Sequence, residues 1–188
     1  MTASVPSNIE QTDEKQQLLA RLRSSRDCYL AVLASVSEEA SSIKPGDGRW
    51  SALECAEHVA VAEQLMFQNV EKRRRPTDAA PNYEKDAVIQ GIATDRSSRR
   101  NAPEPATPTG KFRSLREAIA EFTAVREQTL IYVEQQNEDF RKFTVMHPLA
   151  GAIDTYQALA IIAAHSERHA AQIKEITSSP AYLAAAQK

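Results

Sequence analysis

Two histidines, His165 and His169, are four residues apart in a segment with helical hydrophobic periodicity. That spacing puts both imidazoles on one face of a helix, with Cβ atoms about 5–6 Å apart, so both can bind a single metal ion. A third histidine, His58, is followed by apolar residues at helical spacing in an earlier segment, and it therefore also faces inward. Three inward imidazoles on two helices predict a divalent metal site that keeps open positions for other ligands.

The spacing of the histidines is also compatible with roles that involve no metal. Each imidazole could instead be a core or interface side chain with an ordinary hydrogen-bond partner. In the segment 165–169, which reads HSERH, the glutamate does not directly follow the first histidine. The general base of the HExxH metalloproteases is therefore missing, and that class is not indicated. Three imidazoles suit zinc, nickel or iron, and the sequence does not choose among these ions.

Four segments with helical periodicity must bring these residues together, and none shows sustained strand alternation. Their first residues are Thr12, Ser51, Ser114 and Asp154. A long connection, 76–113, contains five prolines, leaves room for a short helix at 83–94, and joins the second segment to the third. We therefore predict an all-α fold, a four-helix bundle with a long crossover between helices 2 and 3.

Composition narrows the classes of partner. The 188 residues carry a net charge of −2, which lacks the broad positive field that binds nucleic acid. Apolar runs stay well short of the roughly 20 residues of a membrane span. Two cysteines, Cys28 and Cys55, suit a reducing compartment, so we expect a cytoplasmic protein. We predict a flexible N-terminal tail at 1–11, a bundle at 12–178 and a C-terminal tail at 179–188.

Four stretches of the chain carry a family resemblance through their order and spacing. They are Trp50-Ser51-Ala52-Leu53-Glu54 leading to His58, Arg99-Arg100-Asn101-Ala102-Pro103 before Pro108-Thr109-Gly110, Ser114-Leu115-Arg116-Glu117 leading to Phe122 and Arg126, and His147-Pro148-Leu149-Ala150-Gly151 followed by residues 165–173. In these stretches the chain resembles the DinB-like superfamily of bacterial four-helix proteins, over residues 15–177. The resemblance implies a divalent metal held by His58, His165 and His169, and a homodimer.

The resemblance also implies a small-molecule substrate, because relatives include transferases and isomerases that use low-molecular-weight thiols such as bacillithiol or mycothiol. The first functional hypothesis is therefore a metal-dependent enzyme, a thiol-dependent transferase or a hydrolase, in which a thiol or water is the nucleophile. The alternative is a non-catalytic dimeric stress protein that binds a metal or another ligand.

Three further side chains could take part in the chemistry. Glu54, four residues before His58, could act as a base or orient an imidazole, although a capping-box role competes. Arg126 could pair with an acid near the cavity or with an anionic substrate, or it could form a surface salt bridge. Cys55 could be a fourth ligand or a reactive thiol, although a small buried residue is the competing interpretation. The residues predicted to lie in solvent or to cap a turn are Glu57, Glu63 and His147.

Overall fold

The computed structural model describes residues 8–46, 48–97 and 101–187. In this part of the chain the helices are α1 (Asn8–Ala34), α2 (Ala52–Arg73), α3 (Glu84–Thr94), α4 (Leu115–Gln135), α5 (Thr155–Thr177) and α6 (Pro180–Ala186). The strands are β1 (Arg75–Pro76), β2 (Phe143–His147) and β3 (Gly151–Asp154), and they form an antiparallel sheet in the order β1-β2-β3.

Helices α1, α2, α4 and α5 form the bundle, which confirms the predicted fold class. Helix α1 contacts α4 and α5, and helix α2 contacts the same two helices, so α1 and α2 lie at opposite corners. The long crossover between the second and third bundle helices is present and contains α3, which packs on α5. The short helix predicted at 83–94 is thereby confirmed.

Local sequence explains where two of the bundle helices begin. Ser51 accepts the backbone N–H of Glu54, whose carboxylate accepts the N–H of Ser51 in return. Asp154 and Gln157 form the same reciprocal pair at the start of α5. At Ser114 the serine half of the pattern is formed. A cap of this kind is worth about 1 kcal/mol, so these residues fix the register of the helices that carry the site.

The core is divided into two apolar clusters by a charged layer. One cluster contains Leu22, Phe67, Leu130 and Ile162, and the other contains Tyr29, Val59, Phe122 and Ala170. Between them lies a set of side chains that we call the ion-pair layer: Ser25, Glu63, Arg126 and Ser166. Each bundle helix contributes one member, so the layer crosses the bundle at one level.

The hairpin β2–β3 was not predicted from the sequence. Val145 and Ile153 pair across it and are buried, while Met146 points out and is 68% exposed. Gly151 has a φ of 69°, a left-handed conformation that a glycine adopts without the steric cost of a side chain. The alternation covers five residues in β2 and four in β3, too few to stand out in the sequence.

The ends of the bundle also differ from the predicted tails. Helix α1 begins at Asn8, within the segment predicted as the tail 1–11, and residues 1–7 lie outside the described part. The predicted tail 179–188 contains α6, whose Tyr182 is buried and accepts the N–H of Ser37 at 2.8 Å. The hydrophobic periodicity of the sequence does not reveal this tyrosine, whose burial and contact with Ser37 anchor the segment.

A second buried guanidinium, that of Arg141, holds α3 against the bundle. It pairs with Glu14 on α1 at 2.8 Å, Asp86 on α3 at 2.7 Å and Asp154 at 3.0 Å. Its Cζ atom also lies 3.9 Å from the ring centroid of Tyr156. These contacts fix the position of α3, which lines the cavity described below.

Candidate metal centre

Three histidines from two helices meet inside the bundle. His58 is on α2, and His165 and His169 are one turn apart on α5. One ring nitrogen from each residue lies within 4.8 Å of the others, and the Nε2 atoms of His58 and His165 are 3.1 Å apart. His58 and His169 are only 5% and 6% exposed, and His165 is less buried. We call this group the histidine centre.

Neighbouring atoms set the orientation of two of the rings. The Nδ1–H of His58 donates to the carbonyl oxygen of Ala106 at 2.7 Å, which leaves its Nε2 lone pair directed at His165. The Nδ1 atom of His169 lies 3.4 Å from the sulfur of Cys55. Trp50 packs against His58 with ring centroids 4.8 Å apart. The Nδ1 atoms of His58 and His169 therefore have partners outside the cluster, while the Nε2 atoms of His58 and His165 face each other.

Burial favours the neutral imidazoles that can bind a metal. It lowers the pKa of His58, and the bond to Ala106 opposes the change. Burial, followed by the neighbouring histidines, holds the pKa values of His165 and His169 well below 6.5. At neutral pH the rings therefore carry lone pairs rather than a second proton.

The centre opens into a cavity of about 1120 Å³. Helices α2, α3 and α5 supply its walls, and the turn around Ala106 and the hairpin loop at 146–150 close its two ends. This volume is slightly above the usual range of small-molecule sites, so the centre is accessible to a substrate of substantial size.

The structure places Glu54 and Cys55 away from direct chemistry. The carboxylate of Glu54 accepts the N–H of Ser51 and the ammonium of Lys44 at 2.8 Å, so the capping-box interpretation is confirmed. Cys55 is fully buried, and burial raises the pKa of its thiol to about 12. The thiol stays protonated at neutral pH and contacts the back of His169 rather than the converging nitrogens.

Arg126 and Glu63 form a buried pair, which corrects the prediction that Glu63 lies in solvent. The guanidinium donates to the Glu63 carboxylate at 2.8 Å and also to Ser25 and Ser166, and both charged side chains are at most 1% exposed. Arg126 thus has the predicted acidic partner, but the pair is in the core rather than at the surface. Neither residue lines the cavity.

The prediction for Glu57 is also corrected. Glu57 is 2% exposed, and its carboxylate accepts the N–H of Thr109 at 2.6 Å. It ties the end of the long connection to α2. The sequence alone does not distinguish Glu57 from a solvent-exposed glutamate, because its partner Thr109 is 52 residues away in a segment without periodicity.

His147 and two arginines, Arg96 and Arg168, also line the cavity. His147 lies in the hairpin turn, where its Nδ1 accepts the N–H groups of Leu149 and Ala150, as expected for a capping role. Arg168 and Arg96 line the cavity and were missed in the sequence. Arg168 follows His165 by three residues, so helical spacing could have revealed it, whereas the irregular segment around Arg96 gave no signal. Part of one family stretch, Arg99 and Arg100, lies outside the described residues.

The family of this four-helix bundle follows from a sequence match over most of the chain. Residues 21–173 match the DinB superfamily, and the chain belongs to it. The chain is also 29% identical over 145 residues to the uncharacterized protein YuaE of Bacillus subtilis (strain 168), a match that covers 77% of this chain and 87% of that protein.

A solved structure supports the fold. YfiT from Bacillus subtilis, described as a probable metal-dependent hydrolase with an unusual four-helix bundle topology, aligns with a TM-score of 0.57 and 15% identity. The alignment covers 94% of this chain and 90% of YfiT. In the described part of the chain, no helix combines the length and apolar character that a membrane span needs.

Proposed function

We propose that the protein is a metal-dependent hydrolase whose divalent ion is bound by His58, His165 and His169. The observation that carries this proposal is the convergence of three neutral imidazoles, within 4.8 Å of one another, at the wall of a large cavity. The description of YfiT as a "probable metal-dependent hydrolase" agrees with it.

The residues present fit a divalent ion. Two nitrogens bound to one ion at about 2.0–2.1 Å are themselves about 2.8–3.4 Å apart at octahedral to tetrahedral angles. The distance of 3.1 Å between the Nε2 atoms of His58 and His165 falls in this range. Ligating histidines commonly donate their other ring N–H to a carbonyl, as His58 does to Ala106. Zinc, nickel and iron all accept such a donor set.

A bound divalent ion would supply Lewis acidity to a carbonyl and lower the pKa of water toward about 7. The chain's own contribution is to hold the imidazoles neutral and to orient them. The carbonyl of Ala106 fixes the tautomer of His58, and the apolar wall of Trp50 and Ile161 limits the water around the centre. Weaker solvent screening in such a site strengthens the electrostatic interactions within it.

A second candidate is transfer of a low-molecular-weight thiol to an electrophile. The cavity volume supports it, because about 1120 Å³ exceeds the usual range for one small ligand and leaves room for two reactants. The predicted homodimer and cytoplasmic location stay predictions.

The test begins with metal content. We expect protein purified without a chelating tag to contain close to one zinc, nickel or iron ion per chain by elemental analysis. His58→Ala and His165→Ala should abolish this content, because each removes a ligand. The matched control is His147→Ala, which removes the fourth histidine from the same cavity but from a hairpin turn. Retention of metal in His165→Ala would contradict the ligand assignment.

The loaded protein is then assayed with activated esters and amides, and with monochlorobimane in the presence of bacillithiol, mycothiol or glutathione. Turnover in water alone, lost in His58→Ala, supports the hydrolase. Turnover that requires one thiol supports the transferase instead. A loaded protein without activity in either screen favours the non-catalytic binding protein and counts against both enzymes.

A further inference from the structure

The charges that line the cavity are strongly one-sided. Five cations, those of Arg49, Lys72, Arg73, Arg96 and Arg168, face one carboxylate, that of Glu175. Three of them, Arg49, Arg96 and Arg168, lie on α5 or pair with its Glu175. The whole chain carries a net charge of −2, so this excess of positive charge is local. A cavity lined by one sign of charge and bounded by apolar walls attracts and orients a ligand of the opposite sign.

The positions of these cations along α5 place them beside the histidine centre. Arg168 is three residues from His165, and Glu175 is seven residues beyond Arg168 on the same face. Arg96 is held at this end by bonds of 3.2 Å to Gln172 and to Glu175. Arg96 therefore lies toward the carboxyl end of α5, and Arg168 lies at the level of the two histidines.

Arg168 is the most buried of the three, with 9% of its surface exposed. Arg168 is the direct neighbour of His169 on α5, and Arg96 lines the same cavity, so both charges lie close to the centre. A guanidinium that is already largely desolvated binds a carboxylate or a phosphate with little further loss of hydration.

Another side of the cavity is largely apolar, up to Lys72 and Arg73 in the last turn of α2. Its wall combines side chains from α2, α3, α5 and the hairpin loop: Leu65, Met66, Ile92, Met146, Leu149 and Ile161. Leu65, Ile92, Met146 and Leu149 are between 40% and 72% exposed. Exposed apolar side chains gathered at one cavity are typical of a ligand-binding surface.

We infer that the substrate is an amphipathic anion, in which a carboxylate or phosphate group lies next to the reacting bond and an apolar chain extends along α2. The anionic group pairs with Arg168 and Arg96, and the chain packs on Leu65 and Met66. The bond between them then lies at the histidine centre. This inference rests on the proposed function for the reaction, but the binding preference is testable without it.

The experiment measures binding to the full-length protein by calorimetry, both metal-loaded and metal-stripped, with probes that share one chain. The probes are octanoate, octyl phosphate, octanol, octylammonium and acetate. We expect octanoate or octyl phosphate to bind at least tenfold more tightly than octanol, octylammonium and acetate. The two anions differ in head group, so their ranking shows whether the site prefers carboxylate or phosphate.

Variants locate the interaction. Arg168→Gln should weaken binding of the preferred anion about tenfold or more, as expected for a lost hydrogen bond to a charged group. Its affinity for octanol should not change, which checks that the apolar half of the cavity is intact. The matched control is Arg116→Gln, an exposed arginine on α4 that does not line the cavity and should have no effect.

Equal affinity for octanoate, octanol and octylammonium would overturn the inference, and so would an unchanged anion affinity in Arg168→Gln. A preference for the anion in a protein that takes up no metal would leave the inference standing and contradict the proposed function. Stoichiometric metal binding without any preference among the probes would support the metal site of the proposed function and overturn the inference about the substrate.

Discussion

The ion-pair layer and the histidine centre both join α2 to α5, and Glu63 follows His58 by only five residues. In the ion-pair layer, the guanidinium of Arg126 donates to Glu63, Ser25, Ser166 and a backbone carbonyl. In the histidine centre, the nitrogens on the inner side face one another at the wall of a cavity. In the ion-pair layer the charged groups are hydrogen-bonded to other groups of the protein. In the histidine centre the nitrogen lone pairs are directed at a common point.

The comparison distinguishes, within one bundle, buried polar groups that stabilise the fold from buried polar groups that can bind a ligand. Buried charges that satisfy each other hold helices in register and cost stability when one partner is removed. Buried neutral rings that converge on one point are costly unless something binds them. Variants in the two clusters should therefore have opposite effects on stability and on metal content.

The largest effect is expected from Arg126→Met. This change leaves the carboxylate of Glu63 buried without its counter-ion and should lower the free energy of unfolding by about 3–5 kcal/mol. Urea denaturation measures the loss. The double variant Glu63→Leu with Arg126→Met should recover most of it, because two apolar side chains replace the pair. Metal content per folded chain should stay normal in both, and a loss of metal at full stability would break the distinction between the clusters.

A pH series should show the next largest effect, in the metal-stripped protein. The folded-state pKa values of His58, His165 and His169 are lowered, so the unfolded chain takes up protons near pH 6.5 while the folded chain does not. Stability is therefore complete above pH 6.5 and falls as the pH drops below it, by at most about 1.4 kcal/mol per pH unit for each histidine.

Urea midpoints at pH 7, 6 and 5 measure this slope. His165→Ala should reduce the pH dependence of stability by the contribution of one histidine. A substitution at an exposed position, such as Arg116→Gln, should not change it. A wild-type midpoint that is constant across this range would mean that the histidines are not buried in neutral form.

The smallest effect is expected at Cys55, which lies behind His169. Cys55→Ala removes the atom that orients Nδ1 of His169, and it should weaken metal binding by about tenfold, the lower end for loss of such a partner. Competition with a chelator measures the change. Cys55→Ser should restore part of the affinity through its hydroxyl, and Cys28→Ala, at the exposed cysteine, should have no effect. Equal affinity in Cys55→Ala and wild type would contradict an orienting role.

The sequence predicted the parts of the site that repeat along helices. His165 and His169 share a face because of their spacing, and His58 points inward because of the apolar residues that follow it. The caps at Ser51 and Asp154 are local, so they too could be read from neighbouring residues. Periodicity and caps therefore predicted the bundle and the inward positions of the three histidines, whose role as metal ligands stays a prediction.

The contacts that join distant segments could not be predicted in this way. Glu63 has the sequence environment of an exposed acid, and only Arg126, which is 63 residues away, makes it a core residue. Tyr182 and the hairpin depend on partners that helical spacing does not reveal. A buried polar group is defined by its partner, and a single sequence does not contain that pairing.

The attachment of the long connection has a consequence for how such a protein can diversify. The backbone at Ala106 holds His58, and three residues later Thr109 is fastened to Glu57, so the stretch 106–109 is clamped at both ends. One inserted residue there would displace the clamp by about 3.5 Å and tilt the imidazole. Insertions at 77–81, between β1 and α3, fall before the clamp and would alter the surroundings of the cavity rather than the position of His58. Homologous chains could therefore change which molecules enter the cavity while the histidine centre stays unchanged.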